Sequence, residues 1–409
     1  MSSILGFLQR NWQIISPPSP PPKQEGALKF GILGAANIGP NALIHPASLH
    51  PEVIVQAVAA RDKTKAEAYA RKHGIPEVKY TYDDLLADPS ITCVYIPLPN
   101  GLHYEWALKS LQAGKHVLLE KPSVSNSVEA KLLFSSSIPP GLVLLEAFHY
   151  RFQPSWLLFL QQLDPENVAS AKVDMHIPSL LFGKDDVRFK YALGGGALMD
   201  LTYTMSVLRG IFKSEPAECL DSKVETVSDD PRVDYKYSGV WQFPNGGIGE
   251  TSGSLQAGLI EAFSGFKFAR AKVVHKPVAV DGKEGEERVR TVRMANWVMG
   301  AMYHRIEVED EYVLRDRDTR EVVKRWKVNE VKKAYTFREA GVDQDSEPYW
   351  LTYKHQLDAF VDRVKGRESK TGTWISGEDS INQARMIDMA YEKAGLPLRP
   401  TSEYRAVQR

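Results

Sequence analysis

The chain is predicted to be an α/β protein: a parallel sheet covered by helices, then a second α/β domain built on an open, mostly antiparallel sheet. Three observations predict it. An apolar run from Leu28 to Leu33 ends on a glycine turn, Gly34 to Gly39, and passes into residues with helical spacing, Ile38, Ala42, Leu43 and Ala47; this is the strand, turn and helix order of a βαβ unit. Apolar strand-like runs then alternate with helical ones as far as Glu146, which argues for parallel strands buried on both faces. Beyond Arg151 the texture turns to alternating and β-branched runs with few strong helices, the pattern of an antiparallel sheet.

The elements follow in order. Ser16 to Pro22 is rich in proline and sustains neither helix nor ladder, so residues 1–26 are a leader and the globular part starts near Ala27. In the first domain, 27–150, the strand Val53–Ala59 precedes a helix over Thr64 to His73, and Ile91–Ile96 precedes one over His103 to Ala113. Asn100 is placed to cap that second helix and Gly114 to end it. The runs His116–Glu120, Val128–Phe134 and Leu142–Glu146 complete the unit. The second domain, 151–395, has strands over Val168–Ile177, Tyr235–Phe243, Ile248–Leu255 and Arg288–Met294. Its last helices, Tyr353–Val364 and Ser380–Ala394, are free to pack back on the first domain, and 396–409 is a tail.

Bulk properties narrow the function. A chain of 409 residues exceeds what one core supports, so two domains are expected. Acidic and basic residues balance at 51 each, which gives no net field for nucleic acid or an anionic membrane; the expected partner is a small molecule. Cys93 and Cys219 stand far apart in mostly apolar settings and build no disulfide framework. No apolar stretch reaches a membrane span, and the start lacks a secretion signal; the expectation is cytoplasmic. Scattered histidines and two cysteines imply no metal, and no nucleophile elbow supports a serine hydrolase.

Four clusters carry chemistry. In the turn, Gly34 permits the tight bend, Ala36 stands where the usual fingerprint has glycine and must admit a pyrophosphate beside its methyl, and Gly39 lets helix and strand approach; backbone N–H groups at a helix start hold such an anion. At the end of the second strand Arg61 offers a bidentate partner to a 2′-phosphate while Asp62 offers an acceptor to a free 2′-hydroxyl, which favours NADP with NAD possible. Glu120, Lys121 and Pro122 stand at the carboxyl end of a strand, where open α/β sheets place ligands. There the Lys121 ammonium can stabilise the oxygen anion of a hydride transfer, and a cis bond at Pro122 would aim it. After Gly194, Gly195 and Gly196 come Asp200 and Tyr203, three apart and so on one helical face. A phenol near a lysine ammonium has a lowered pKa and serves as acid or base. In the crossing from Glu146 to Pro154, Arg151 can pair with Glu146, and His149 either faces substrate or is structural.

On these residues, together with Pro97, Pro99, Asn100 and His103 and the stretch Ala113 to Val117, the chain resembles the Gfo/Idh/MocA oxidoreductases from Leu28 to Pro397, most closely the branch of dimeric dihydrodiol dehydrogenases and NADP-dependent D-xylose dehydrogenases. The resemblance implies a Rossmann domain, a C-terminal α/β domain and a homodimer through its sheet. It implies Lys121 and Tyr203 as catalytic with Asp200. The expected cofactor contacts are Gly34, Ala36, Asn37, Ile38, Gly39, Arg61, Pro97, Asn100, His103, Glu120 and Lys121, and the expected substrate contacts are Lys121, His149, Arg151, Asp200 and Tyr203. In that branch the tyrosine stands four residues after the aspartate, whereas here the spacing is three. Tyr203 or Thr204 then fills the acid/base position, and Tyr203 is preferred because a threonine hydroxyl titrates too high. The expected reaction moves hydride between a nicotinamide and a sugar or vicinal diol hydroxyl, of the D-xylose 1-dehydrogenase or trans-dihydrodiol dehydrogenase type. The alternatives are a dinucleotide-sensing regulator of the same fold and an NAD-assisted glycoside lyase or hydrolase.

Overall fold

The computed structural model describes residues 4–259 and 269–404. Six short strands form a wholly parallel sheet: β1 (Leu28–Leu33), β2 (Val53–Ala59), β3 (Glu77–Lys79), β4 (Cys93–Ile96), β5 (His116–Leu119) and β6 (Leu144–Glu146). Their order is β3-β2-β1-β4-β5-β6, so the chain reverses direction between β1 and β4 and opens a crevice at their carboxyl ends. Strands β4 and β6 are buried at every residue, as helices on both faces require. β3 escapes the sequence pattern because it is a short, half-exposed edge. The helix after the glycine turn is a π-helical turn, Pro40–Ile44, continued by His45–Ser48. Asp62 caps the Lys63–His73 helix by accepting from the Lys65 N–H at 3.1 Å, and Gly74 at φ +67° ends it.

Among the described residues the second sheet has nine strands: β7 (Val168–Pro178), β8 (Glu218–Val227), β9 (Asp230–Gln242), β10 (Ile248–Ala257), β11 (Arg270–His275), β12 (Val278–Ala279), β13 (Glu286–Ala295), β14 (Arg305–Arg315) and β15 (Val322–Lys332). The order is β15-β14-β13-β11-β7-β10-β9-β8, with β12 on β13. All its pairings are antiparallel except β7 with β10. The sequence hides β14 because its inward Ile306 and Val308 alternate with charged residues that pair outward, such as Glu309 with Lys327 at 3.0 Å. β15 is exposed along almost its whole length and so carries no inward apolar register to read.

The ends of the chain tie the halves together. The leader begins as a helix, Ile4–Ile15, docked by the buried Arg10, whose Nε donates to the Ala301 carbonyl at 2.7 Å and whose guanidinium lies 3.5 Å from the Tyr335 ring centre. The helix Thr352–Val364 sets Phe360 against Phe30 of β1, rings 5.8 Å apart, while Lys365 and Arg367 behind it pair with Glu52. Along the helix Gly377–Lys393, Asp388 accepts from the Ser127 N–H at 2.8 Å.

Candidate active site

A cleft of about 740 Å³ runs from the glycine turn to the sheet of the second domain. Ala35, Ala36, Asn37 and Ile38 line one end; Glu120, Lys121, Asp200 and Tyr203 line the middle; Met175 and Ile177 of β7 back it. Two features make the turn fit a dinucleotide. Gly34 sits at φ +107°, a conformation only glycine adopts freely, and its N–H donates to Ala59 at 2.7 Å. A Cβ on Gly39 would run into the Tyr69 hydroxyl, which donates to the Ala36 carbonyl at 3.2 Å.

Lys121 is the hub. Its Nζ donates to the Asp200 carbonyl at 2.8 Å and to Asp200 Oδ1 at 2.9 Å, and the Lys121–Pro122 peptide is cis. Asp200 Oδ2 accepts from Arg188 Nε at 3.0 Å, and Arg188 Nη1 donates to Asp186 at 3.0 Å. Burial by itself would raise the Asp200 carboxyl, but the Lys121 and Arg188 charges overcome that and hold it well below the ordinary value. Asp200 is therefore an anchored anion at neutral pH. Glu120 behind it is buried, accepts from the Tyr95 hydroxyl at 2.8 Å and is raised by desolvation.

Asp200 and Tyr203 do not share one helix, as their spacing predicted. The Ala197–Asp200 helix ends at the aspartate and a new one, Tyr203–Phe212, begins at the tyrosine, broken at Leu201 and Thr202. The phenol also differs from expectation: Lys121 Nζ stands over the Tyr203 ring, 4.9 Å from its centre, and burial pushes the hydroxyl well above its ordinary pKa. The expected lowering assumed contact with the oxygen; the cation meets the ring face instead. Thr204 is placed elsewhere, sealed beneath the cleft with its hydroxyl 2.6 Å from the Tyr237 hydroxyl.

Other expected residues separate. Pro97, Asn100 and His103 line the cleft. His103 is a brace, its nitrogens 2.9 Å from the Pro122 carbonyl and 2.8 Å from the Leu98 carbonyl, and burial lowers it to about 4. Asn100 does not cap the helix His103–Gln112, which has no side-chain cap; its amide lies under Gly194, where a Cβ would come within 2.6 Å. His149 does not reach the cleft. It is buried, 2.6 Å from the Thr352 hydroxyl, tilted against Tyr353 with ring centres 4.0 Å apart, and lowered by burial to about 3. Arg151 pairs with Asp379 at 3.2 Å rather than with Glu146 and borders a separate cleft of about 780 Å³ on the far side of the Tyr203–Phe212 helix; Glu146 instead accepts from the Ser123 N–H at 2.8 Å. Arg61 is exposed and outside the cleft lining, whereas Lys65 lines it. Lys65 and Tyr353 have no local signature, since each lies in an unremarkable helix and enters the cleft only through the fold; Arg188 belongs to the charged and aromatic stretch Phe182–Tyr191, whose aim only the fold supplies.

Over residues 28–137 the chain matches the family model described as an oxidoreductase family with an NAD-binding Rossmann fold, Gfo/Idh/MocA. It is 33% identical over 273 residues to the D-xylose 1-dehydrogenase (NADP(+)) 2 of Haloferax volcanii, a match covering 63% of this chain and 82% of that protein. It is 31% identical over 250 residues to the trans-1,2-dihydrobenzene-1,2-diol dehydrogenase of Sus scrofa, covering 58% and 71% respectively. In fold it is similar to a 3-ketoreductase from Actinomadura kijaniata solved in complex with NADP and TDP-benzene, with a TM-score of 0.66 at 20% identity over 90% of this chain and 98% of that one. The glycine turn at a topological switch point, the cleft beside it and these matches agree, and the chain belongs to the Gfo/Idh/MocA family of NAD(P)-dependent oxidoreductases.

Proposed function

We propose that the protein transfers hydride between NADP and a hydroxyl-bearing or carbonyl carbon of a sugar or vicinal diol, with Lys121, Asp200 and Tyr203 around the reacting oxygen. One observation carries the reading: the Lys121 ammonium, pinned by Asp200, lies in the same cleft as the turn that would hold the pyrophosphate. The dinucleotide supplies or accepts the hydride when bound. The chain's own residues handle the oxygen. Lys121 stabilises negative charge on it, and Asp200, kept ionised, accepts a neighbouring substrate hydroxyl. Tyr203, kept protonated by burial, donates its proton to the oxygen in the reducing direction and takes it back in the oxidising one. The names of the Haloferax volcanii and Sus scrofa relatives support a pentose or a cyclic diol.

The test is a panel of pentoses, hexoses, inositols and aromatic dihydrodiols, each incubated with NADP and with NAD while reduced-nicotinamide absorbance is followed. At least one should reduce the cofactor stoichiometrically. Product formation without accumulated reduced cofactor would point to elimination or hydrolysis instead, and no product at all to a dinucleotide sensor.

Cofactor choice gives a second expectation. One Asp62 oxygen is taken up as a helix cap, which favours the nearby cations at the 2′ position. Lys65→Ala and Arg61→Ala should each raise the KM for NADP by roughly 10-fold, the worth of one charge-assisted hydrogen bond, and leave that for NAD unchanged. Equal effects on both cofactors would remove these residues from the phosphate site.

A further inference from the structure

We propose that Arg399 is a positioning residue for the glycine loop Gly194–Gly196, and that through it the segment after the last helix sets the geometry of Asp200 and Lys121. The proposal rests on reading the cleft as the reaction site. Arg399 and Asp234 of β9 are both fully buried at the side chain and 2.8 Å apart. Arg399 Nε donates to the Gly195 carbonyl at 2.6 Å, and Nη2 donates to Asp234 Oδ1 and to the Tyr391 hydroxyl, both at 2.8 Å. Tyr391 in turn donates to Asp234 Oδ1 at 2.9 Å, and Asp234 Oδ2 accepts from the Leu198 N–H at 2.7 Å. The ion pair thus grips the loop at the Gly195 carbonyl and the helix that follows it at the Leu198 amide. From there the path is short: the Asp200 N–H donates to the Gly196 carbonyl at 2.9 Å, and the Asp200 carboxylate holds Lys121.

Gly196 confirms how tightly the three groups close on the loop. It sits at φ +138°, and a Cβ there would collide with Asp234 Oδ1, Arg399 Nη2 and the Tyr391 hydroxyl. The same segment is clamped to the first domain. Asn126, which caps the helix Ser127–Ser136 through its Oδ1, donates from Nδ2 to the Arg399 carbonyl at 2.9 Å and to the Thr401 hydroxyl at 3.0 Å. The Ser402 N–H donates to Glu129 at 2.6 Å. Residues expected as a tail are, as far as 404, a strap between the Rossmann domain that carries Lys121 and the loop that leads into the helix ending at Asp200. A packing role alone would need no donors divided between a loop carbonyl and a buried carboxylate; a guanidinium supplies both at fixed angles and an ammonium does not.

The experiment compares wild type with Arg399→Lys, in the full chain, by three readouts: KM and kcat with the substrate found in the panel, dinucleotide Kd by protein fluorescence quenching, and hydrogen exchange of the peptide spanning 192–201. The expected result is faster exchange confined to that peptide and its neighbours, a substrate KM raised roughly 10-fold or more, the worth of the charge-assisted hydrogen bond between Asp200 and a substrate hydroxyl, and an unchanged dinucleotide Kd, because Gly34 and Gly39 are held by other contacts. If Arg399→Lys does not fold, the charge-free pair Asp234→Asn with Arg399→Gln takes its place under the same criteria. Unchanged KM and exchange in a folded variant would overturn the proposal, and so would KM and Kd rising together. Should no compound in the panel reduce the cofactor in wild type, the reading of the cleft fails, while local exchange at 192–201 still decides whether Arg399 holds the loop.

Discussion

Lys121→Met is expected to lower kcat by roughly 10²–10³-fold, the loss seen when one preorganised donor to a developing oxyanion is removed, with dinucleotide Kd unchanged. The argument is geometric. Lys121 Nζ sits between the Asp200 carboxylate and the face of the Tyr203 ring, and only 12% of its side chain is exposed, so bulk water does not screen it as it would a surface ammonium. Methionine keeps most of the stem volume and removes the charge. Asp200 is not orphaned by the change, because Arg188 still holds its second oxygen at 3.0 Å; the carboxylate stays ionised and the substrate hydroxyl it accepts keeps its partner. KM should therefore move far less than kcat. Stopped-flow hydride transfer and fluorescence quenching by the dinucleotide measure the two quantities separately. Turnover within about 3-fold of wild type would show that charge on the reacting oxygen is stabilised by something else.

The convergence behind that expectation was legible in part. Gly34, Lys121 and Asp200 were readable because each stands at a point of special local chemistry: a turn, a strand end, a glycine run. Position along the sheet then decides the rest, and the crevice at the β1/β4 reversal collects whatever the carboxyl ends carry. Side-chain aim was not legible. His149 and Arg151 sit in a stretch that crosses between domains, yet the single 3₁₀ turn His149–Phe152 sets His149 behind the cleft wall, against Tyr353 and Tyr203, and turns Arg151 away onto Asp379. Residue spacing also misled at Tyr203, where Asp200 and the phenol straddle a break between two helices instead of one continuous turn. Arg188 and Arg399 show a different limit: each grips a carboxylate outside its own segment, Asp200 at 3.0 Å and Asp234 at 2.8 Å, and an arginine in a loop does not by itself say which partner the fold brings to it.

Arg399→Met is expected to destabilise the protein by about 3–5 kcal/mol, the cost of leaving one member of a fully buried ion pair without its partner, and adding Asp234→Asn should return most of that loss. Both side chains are 0% exposed, so neither screening nor a solvent path relieves Asp234 once the guanidinium is gone. Methionine fills much of the arginine stem's volume, which keeps a cavity from dominating the result. Asparagine at 234 removes the uncompensated charge; what remains lost is the donor to the Gly195 carbonyl, worth about 1 kcal/mol. The pH dependence separates charge from packing. Burial raises the Asp234 carboxyl above its ordinary value near 3.8, and Arg399 is the chief opposing influence; without Arg399 the rise is larger. Between the ordinary and the raised value the native state binds more protons than the unfolded chain, so stability falls as pH climbs through that window. The deficit of Arg399→Met should thus be greater at about pH 8 than at about pH 5, and the double variant should show no such slope. Urea midpoints at both pH values measure it: a deficit equal at the two, or one that Asp234→Asn fails to relieve, would mean that Arg399 stabilises the fold by packing and not by charge.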